Sequence, residues 1–258
     1  MKRLFVFLFF PLFLGGCVTR TLVNGVPVVK SQKKAESKVQ AARSRLALAI
    51  TYLRSGESDL AKQNIDLAAK DAPNLVDVDL TRGYFYSAVA QPSKAIKAYE
   101  LALKKQPNNG DALNNLGVIR CQLGHYKAAE KLFARALNAN NYTAIGSTNE
   151  NAGLCAYRSG RYHDAKSYFL AALAYNAHRP YSLLGLAEVL IHQHQYEDAR
   201  VYMKRYSEIA PTTAQSLLVW IKLERGEGHF AKQVLWGKEL IARFPDAPQT
   251  KKYLADDY

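Results

Sequence analysis

Residues 110–137 read GDALNNLGVIRCQLGHYKAAEKLFARAL, and the order of small and bulky residues in this stretch sets the fold. Gly117 is followed by a turn signal at Gly124, by Ala129 five residues later, and by a bulky apolar residue, Phe133, one helical turn beyond. Small residues let two helices approach closely, and an aromatic side chain on the second can fill the notch left by a glycine on the first. The stretch therefore reads as two helices joined by a tight turn and packed against each other.

The pattern recurs outward from this stretch in both directions. Ala61, Ala95, Ala129, Ala165 and Ala199 stand 34, 34, 36 and 34 residues apart. Four residues after each come Ile65, Tyr99, Phe133, Phe169 and Met203, and three further come Ala68, Ala102, Ala136, Ala172 and Tyr206. The first helix carries its small residue at Ala49, Gly83, Gly117, Gly153 and Ala187, and the turns fall at Gly56, Ala90, Gly124, Gly160, His194 and Gly228. Units close at Pro73 and Pro107, slip to Asn141 and Ala177, and recover at Pro211 and Pro245. Self-similarity at this period is the mark of a solenoid, in which each helix pair buries its apolar face only against its neighbours. It resembles the tetratricopeptide-repeat (TPR) signature, which implies an all-α, right-handed superhelix. The expected units are residues 42–75, 76–109, 110–145, 146–179, 180–213 and 214–247, followed by a short C-terminal tail within a domain spanning 42–258. The sixth is degenerate, with Gln233, Gly237 and Leu240 in the small, bulky and small positions, as a terminal unit facing water tolerates.

The first residues bear on location. Lys2 and Arg3 precede an apolar run from Leu4 to Leu14, too short to span a bilayer as a helix of about 20 residues. Gly15-Gly16-Cys17 closes it and resembles the lipobox of bacterial lipoproteins. That resemblance implies a signal peptide over 1–16 and a lipid on Cys17, the only prosthetic group expected; an ordinary secretory leader with an incidental cysteine is the alternative. Several acyl chains anchor firmly because each buried methylene contributes about 0.8 kcal/mol. Val18 stands where an aspartate commonly signals inner-membrane retention in such lipoproteins, so the expected address is the periplasmic face of the outer membrane. Residues 17–41, polar with Gly25 and Pro27, are expected to be a flexible tether.

The formal net charge is +13, of which Lys2 and Arg3 belong to the leader. Such a balance favours acidic partners or anionic head groups. Nucleic acid is not expected as a partner, because the basic residues are dispersed and the chain carries an export signal. No phosphate loop, nucleophile elbow or Ser/His/Asp set survives assignment to repeat positions, so neither an enzyme nor a small-molecule substrate is expected. His125, His163, His192 and His194 lie near turns with no metal-ligand spacing, so no metal is expected.

First helices of such repeats line an inner face where a peptide can lie. Counting from the small-residue column, that face should carry Arg43, Leu46, Ile50, Asp77, Leu80, Tyr84, Asp111, Asn114 and Val118. In the later units it should carry Glu150, Leu154, Tyr157, Arg158, Tyr181, Leu184 and Glu188. Packing of some of them against the adjacent repeat is the alternative for each. Cys121 and Cys155 fall on neighbouring first helices; a disulfide forms if they face each other, and two buried thiols result if they do not.

Several segments resemble a particular family, the PilF/PilW type IV pilus biogenesis lipoproteins. They are 110–117 with Cys121, 124–130, 150–155, 199–206 and Phe244-Pro245-Asp246; Leu116, Ile119-Arg120 and Asn141 depart from its pattern. The resemblance implies a pilotin, which binds subunits of the pilus secretin and promotes their localisation and multimerisation. An envelope adaptor that recruits or regulates peptidoglycan-remodelling enzymes through the same groove is the competing reading.

Overall fold

In the computed structural model the chain is described at residues 22–23 and 26–258, with side chains from residue 32 onward; the leader and Cys17 lie outside the described residues. A two-residue antiparallel pair, β1 (Leu22–Val23) with β2 (Val26–Pro27), precedes α1 (Val28–Arg54). Helices then alternate with short turns: α2 (Ser58–Asp71), α3 (Val76–Ala88), α4 (Pro92–Lys105), α5 (Gly110–Gln122), α6 (Tyr126–Leu137), α7 (Ile145–Arg158), α8 (Tyr162–Tyr175), α9 (Pro180–His192), α10 (Tyr196–Ile209), α11 (Ala214–Gly226), α12 (Phe230–Arg243) and α13 (Pro248–Leu254). No described helix is long and apolar enough to cross a membrane.

Each odd-numbered helix packs on the even-numbered helix that follows it and on the next odd-numbered helix. No comparable contact joins successive even-numbered helices. The first helices of the pairs therefore crowd together while the second helices fan apart, which is the geometry of a curved solenoid with its first helices on the inside.

The notch-and-wedge packing follows the sequence columns. Tyr99, Phe133 and Phe169 are fully buried, and each points into the glycine of its own pair. A methyl group on Gly83 would stand 2.5 Å from the Tyr99 ring, one on Gly117 2.7 Å from Phe133, and one on Gly153 2.8 Å from Phe169. Phe169 also fills the space over Gly185, so this ring wedges two consecutive pairs at once. All six turn positions adopt left-handed backbone: Gly56, Gly124, Gly160 and Gly228 with φ of 76–82°, and Ala90 and His194 at 54° and 57°. The latter two take this conformation against the steric preference of a side chain.

Two expectations are corrected at the ends of the chain. The tether expected over 17–41 is helical from Val28 on. After Pro27 the sequence VVKSQKKAESKVQA contains no glycine or proline and many good helix formers. Once the packed part of α1 is nucleated, propagation backward costs little. Residues 32–41 are exposed apart from half-buried Val39, and Ala42 is the first fully buried residue, so packing begins where the first unit was placed. The residues after 247, expected as a tail, form α13, which packs on α11 and α12 in the place of a further first helix. Tyr253 fills the notch over Gly237, and buried Thr250 donates its hydroxyl to the Phe244 carbonyl at 2.5 Å. The junction between the third and fourth pairs runs from 138 to 144, where the other pair-to-pair junctions have four residues. Tyr142 fills it, lying over Gly110 and hydrogen-bonding the Thr148 hydroxyl at 2.7 Å.

Gly117→Ala should destabilise the fold by about 2 kcal/mol through overpacking against Phe133. Ala90→Gly should stabilise it by about 0.5 kcal/mol by relieving the left-handed strain, net of glycine's greater unfolded freedom. Urea midpoints moving in opposite directions are the check.

Candidate functional site: the inner face of the first helices

The inner face is held together by a row of polar contacts from one first helix to the next. Arg43 Nε donates to Asp77 Oδ2 at 3.1 Å, joining α1 to α3. Asn151 Nδ2 donates to Asn114 Oδ1 at 3.0 Å between α7 and α5. Ser182 Oγ of α9 donates to Glu150 Oε2 at 2.6 Å, and Arg179 reaches both oxygens of that carboxylate at 3.3 Å. Gln215 Nε2 of α11 donates to Glu188 Oε1 at 2.6 Å, and Gln249 of α13 donates to Gln215 Oε1 at 2.9 Å. Tyr157 and His192 meet at 3.1 Å, with the His192 ring stacked on Tyr162.

This row sorts the residues expected on the face. Leu46, Asn114 and Leu184 are buried, and the two leucines belong to the core. The reason is geometric: a first helix meets both its own partner and the next first helix, so positions one turn apart on its inward side point to different neighbours. Asp77, Glu150 and Glu188 direct their carboxylates to the adjoining repeat. Burial outweighs the attraction of Lys222 and the Gln215 hydrogen bond and holds the Glu188 carboxyl above its ordinary range. Ile50, Leu80, Val118, Leu154 and Tyr157 are half-buried, while Tyr84, Asp111, Arg158 and Tyr181 remain exposed. Tyr181 has 69% of its surface in solvent and Tyr84 41%, so aromatic rings stand clear on this face beside the exposed charges of Asp111 and Arg158. Desolvation raises the Asp111 carboxyl, which borders a cleft of about 470 Å³ at the long junction together with Asn108, Asn140 and Tyr142.

Cys121 of α5 and Cys155 of α7 are joined in a disulfide with Cα atoms 5.7 Å apart. The bond clamps the two first helices that flank the lengthened junction.

The arrangement is of a kind suited to holding a protein segment: a ridge of backbone-fixed helices, polar groups joined across repeat boundaries, and rings standing clear. Comparison with known proteins agrees with the architecture. A family model described as a tetratricopeptide repeat matches residues 88–143 and 156–221. PilF of Pseudomonas aeruginosa, a type IV pilus assembly protein, is 25% identical over 243 residues, 94% of each chain. The chain is similar to the PilF/PilW proteins along most of its length and shares their tetratricopeptide-repeat architecture. The structure of Pseudomonas aeruginosa PilF superposes with a TM-score of 0.76 at 24% identity, covering 85% of this chain and 99% of that one. The crystal structure of PilW, described as a widely conserved type IV pilus biogenesis factor, gives a TM-score of 0.76 at 26% identity over 83% of this chain and 99% of the other. A Haemophilus influenzae protein of uncharacterised role is 35% identical over 117 residues, 45% of this chain, which spans 65% of that protein's length.

Sequence reasoning missed several polar residues of this repeat protein. Gln215 and Gln249 stand 34 and 68 residues after Tyr181, in the column that begins at Arg43, and extending that column would have found them. A cluster in the last repeat was missed as well, although its three residues lie within six positions of sequence. Oxygens of Glu224 and Glu227 and a nitrogen of His229 lie within 4.8 Å of one another, as ligands of a cation could. Both carboxylates are bound by Arg200, which donates from Nη1 to Glu224 at 2.9 Å and from Nη2 to Glu227. Burial opposes charge on Glu224, but hydrogen bonds from Arg200 and His229 outweigh it and hold its carboxyl below the ordinary glutamate range.

Reduction of the Cys121–Cys155 bond should lower stability by about 3–4 kcal/mol on the loop-entropy model. Urea unfolding with and without reductant measures this, and a Cys121→Ser variant should show no further change on reduction. Because the folded Glu224 carboxyl titrates below its unfolded value, its contribution is present above the ordinary glutamate range and is lost as pH falls through the folded value. Glu224→Gln should cost about 3 kcal/mol at neutral pH and flatten the acid side of the stability-versus-pH curve.

Proposed function

We propose that this chain is a lipid-anchored scaffold of the outer membrane that binds subunits of a type IV pilus secretin and promotes their localisation and multimerisation. The observation that carries the reading is similarity to Pseudomonas aeruginosa PilF along 94% of both chains, rather than over a repeat or two that any protein of this architecture might share. Two properties of the chain fit it. The lipobox ending at Cys17 supplies an anchor whose acyl chains commit the protein to one leaflet. The inner face offers exposed Tyr84 and Tyr181 beside half-buried aliphatic residues, which suits a segment of another protein held before assembly. Tethering both partners to one membrane raises their effective concentration without any further contact.

Co-purification from gently solubilised membranes tests the proposal. The wild-type chain should bring secretin subunits with it. Cys17→Ser should leave the chain folded but release it from the membrane, with secretin multimers falling in parallel. A wild-type preparation that carries no secretin overturns the assignment.

A further inference from the structure

A second surface lies beside the α9–α10 turn, toward the C-terminal end of the row of first helices. His192 closes α9, His194 is the left-handed turn residue and Tyr196 opens α10. With Lys222 and Arg225 of α11 they border a cleft of about 410 Å³, walled on its far side by Tyr258. The ionisable side chains of its lining other than tyrosine are all basic. Lys222 Nζ stands 3.9 Å from Glu188 Oε1, beyond hydrogen-bond reach, and that oxygen already accepts from Gln215 at 2.6 Å. Lys222 is thus held only by a long ion pair with Glu188 and has no hydrogen-bond acceptor among the described residues, although it is only 22% exposed.

The neighbouring cation displays what such a lining takes. Arg225 donates to the two oxygens of Asp256 at 2.7 and 3.4 Å, and its guanidinium lies 5.0 Å over the Tyr258 ring. The Tyr258 hydroxyl accepts from Gln233 Nε2 at 2.7 Å. A carboxylate and an aromatic ring two residues apart are thus both seated on one cation of the lining, and the Tyr258 ring itself borders the cleft. The second cation, Lys222, stands on the same helix three residues earlier, on the same face, with the rings of His192, His194 and Tyr196 around the opening. Even without the leader's Lys2 and Arg3, most of the formal net charge of +13 remains, and it draws acidic segments toward such a place at long range.

We propose that this cleft receives an acidic residue of the partner protein, carried beside an aromatic one, with Lys222 as the receiving cation. Asp256 and Tyr258 occupy the equivalent place on Arg225. The inference deepens the proposed function and rests on it for the partner, but its chemistry belongs to the cleft.

The test uses the full-length protein in detergent and a fluorescein-labelled peptide alternating aspartate and tyrosine, with an asparagine–tyrosine peptide of the same length as control. By fluorescence anisotropy at low salt, the aspartate peptide should bind at least about tenfold more tightly, the worth of one charge-assisted contact. Lys222→Gln should weaken it about tenfold, and Asp256→Asn, which releases Arg225, should tighten it several-fold. A merely structural disturbance would weaken binding in both variants. Equal binding of the two peptides, or unchanged affinity in Lys222→Gln, overturns the proposal. Secretin co-purification with the same variants separates the two claims. Secretin retained undiminished by Lys222→Gln overturns the role of the cleft while leaving the proposed function. Aspartate-peptide binding that Lys222→Gln abolishes, in a protein that carries no secretin, supports the cleft and overturns the partner.

Discussion

A ring pressed into a glycine notch is the contact on which the rest of the molecule depends. Tyr99, Phe133 and Phe169 leave no room for a methyl group on Gly83, Gly117 or Gly153, so the two helices of each pair are fixed at a close approach. That approach sets where the next first helix must lie, and repetition of the step generates the curved row of first helices. Phe169, shared between Gly153 and Gly185, makes the coupling between successive pairs explicit. A solenoid has no central core to absorb a fault, so each wedge carries its own share of the stability.

The inner face follows from the same row. Close first helices bring Arg43 to Asp77, Ser182 to Glu150 and Gln215 to Glu188, and these groups satisfy one another across repeat boundaries. What remains for a partner is aromatic and aliphatic through the middle of the face, with Asp111 and Arg158 as exposed charges, and basic at its C-terminal end, where Lys222 and Arg225 stand. The disulfide between Cys121 and Cys155 spans the place where the period lengthens. The clamp and the filled junction at Tyr142 thus keep the face continuous where an insertion would otherwise part it.

Much of this was legible in the sequence because the governing constraints are local and repeated. The turn column included Ala90 and His194 as well as four glycines, and all six adopt left-handed backbone; position in the repeat dictated the conformation more strongly than residue type. The helical start at Val28 was hidden because residues 28–41 bear no apolar stripe and are helical by extension from a packed neighbour. α13 was hidden because seven residues show too little period to read, and it is the notch at Gly237 that seats Tyr253. On the inner face, periodicity gave the correct helices but could not tell which of two neighbours a side chain would meet, so Leu46 and Leu184 went to the core. Arg200 with Glu224 and Glu227, and Arg225 with Asp256, join residues more than 20 positions apart with no common column, and only the folded chain brings them together.

The central claim is that partners are bound on the row of first helices. Site-specific photo-crosslinking in cells tests it most directly, with a benzophenone amino acid placed either at Tyr181 on α9 or at Val201 on α10, both exposed. The account predicts a secretin-containing adduct from position 181 and none from position 201. An adduct from 201 with none from 181 would contradict it.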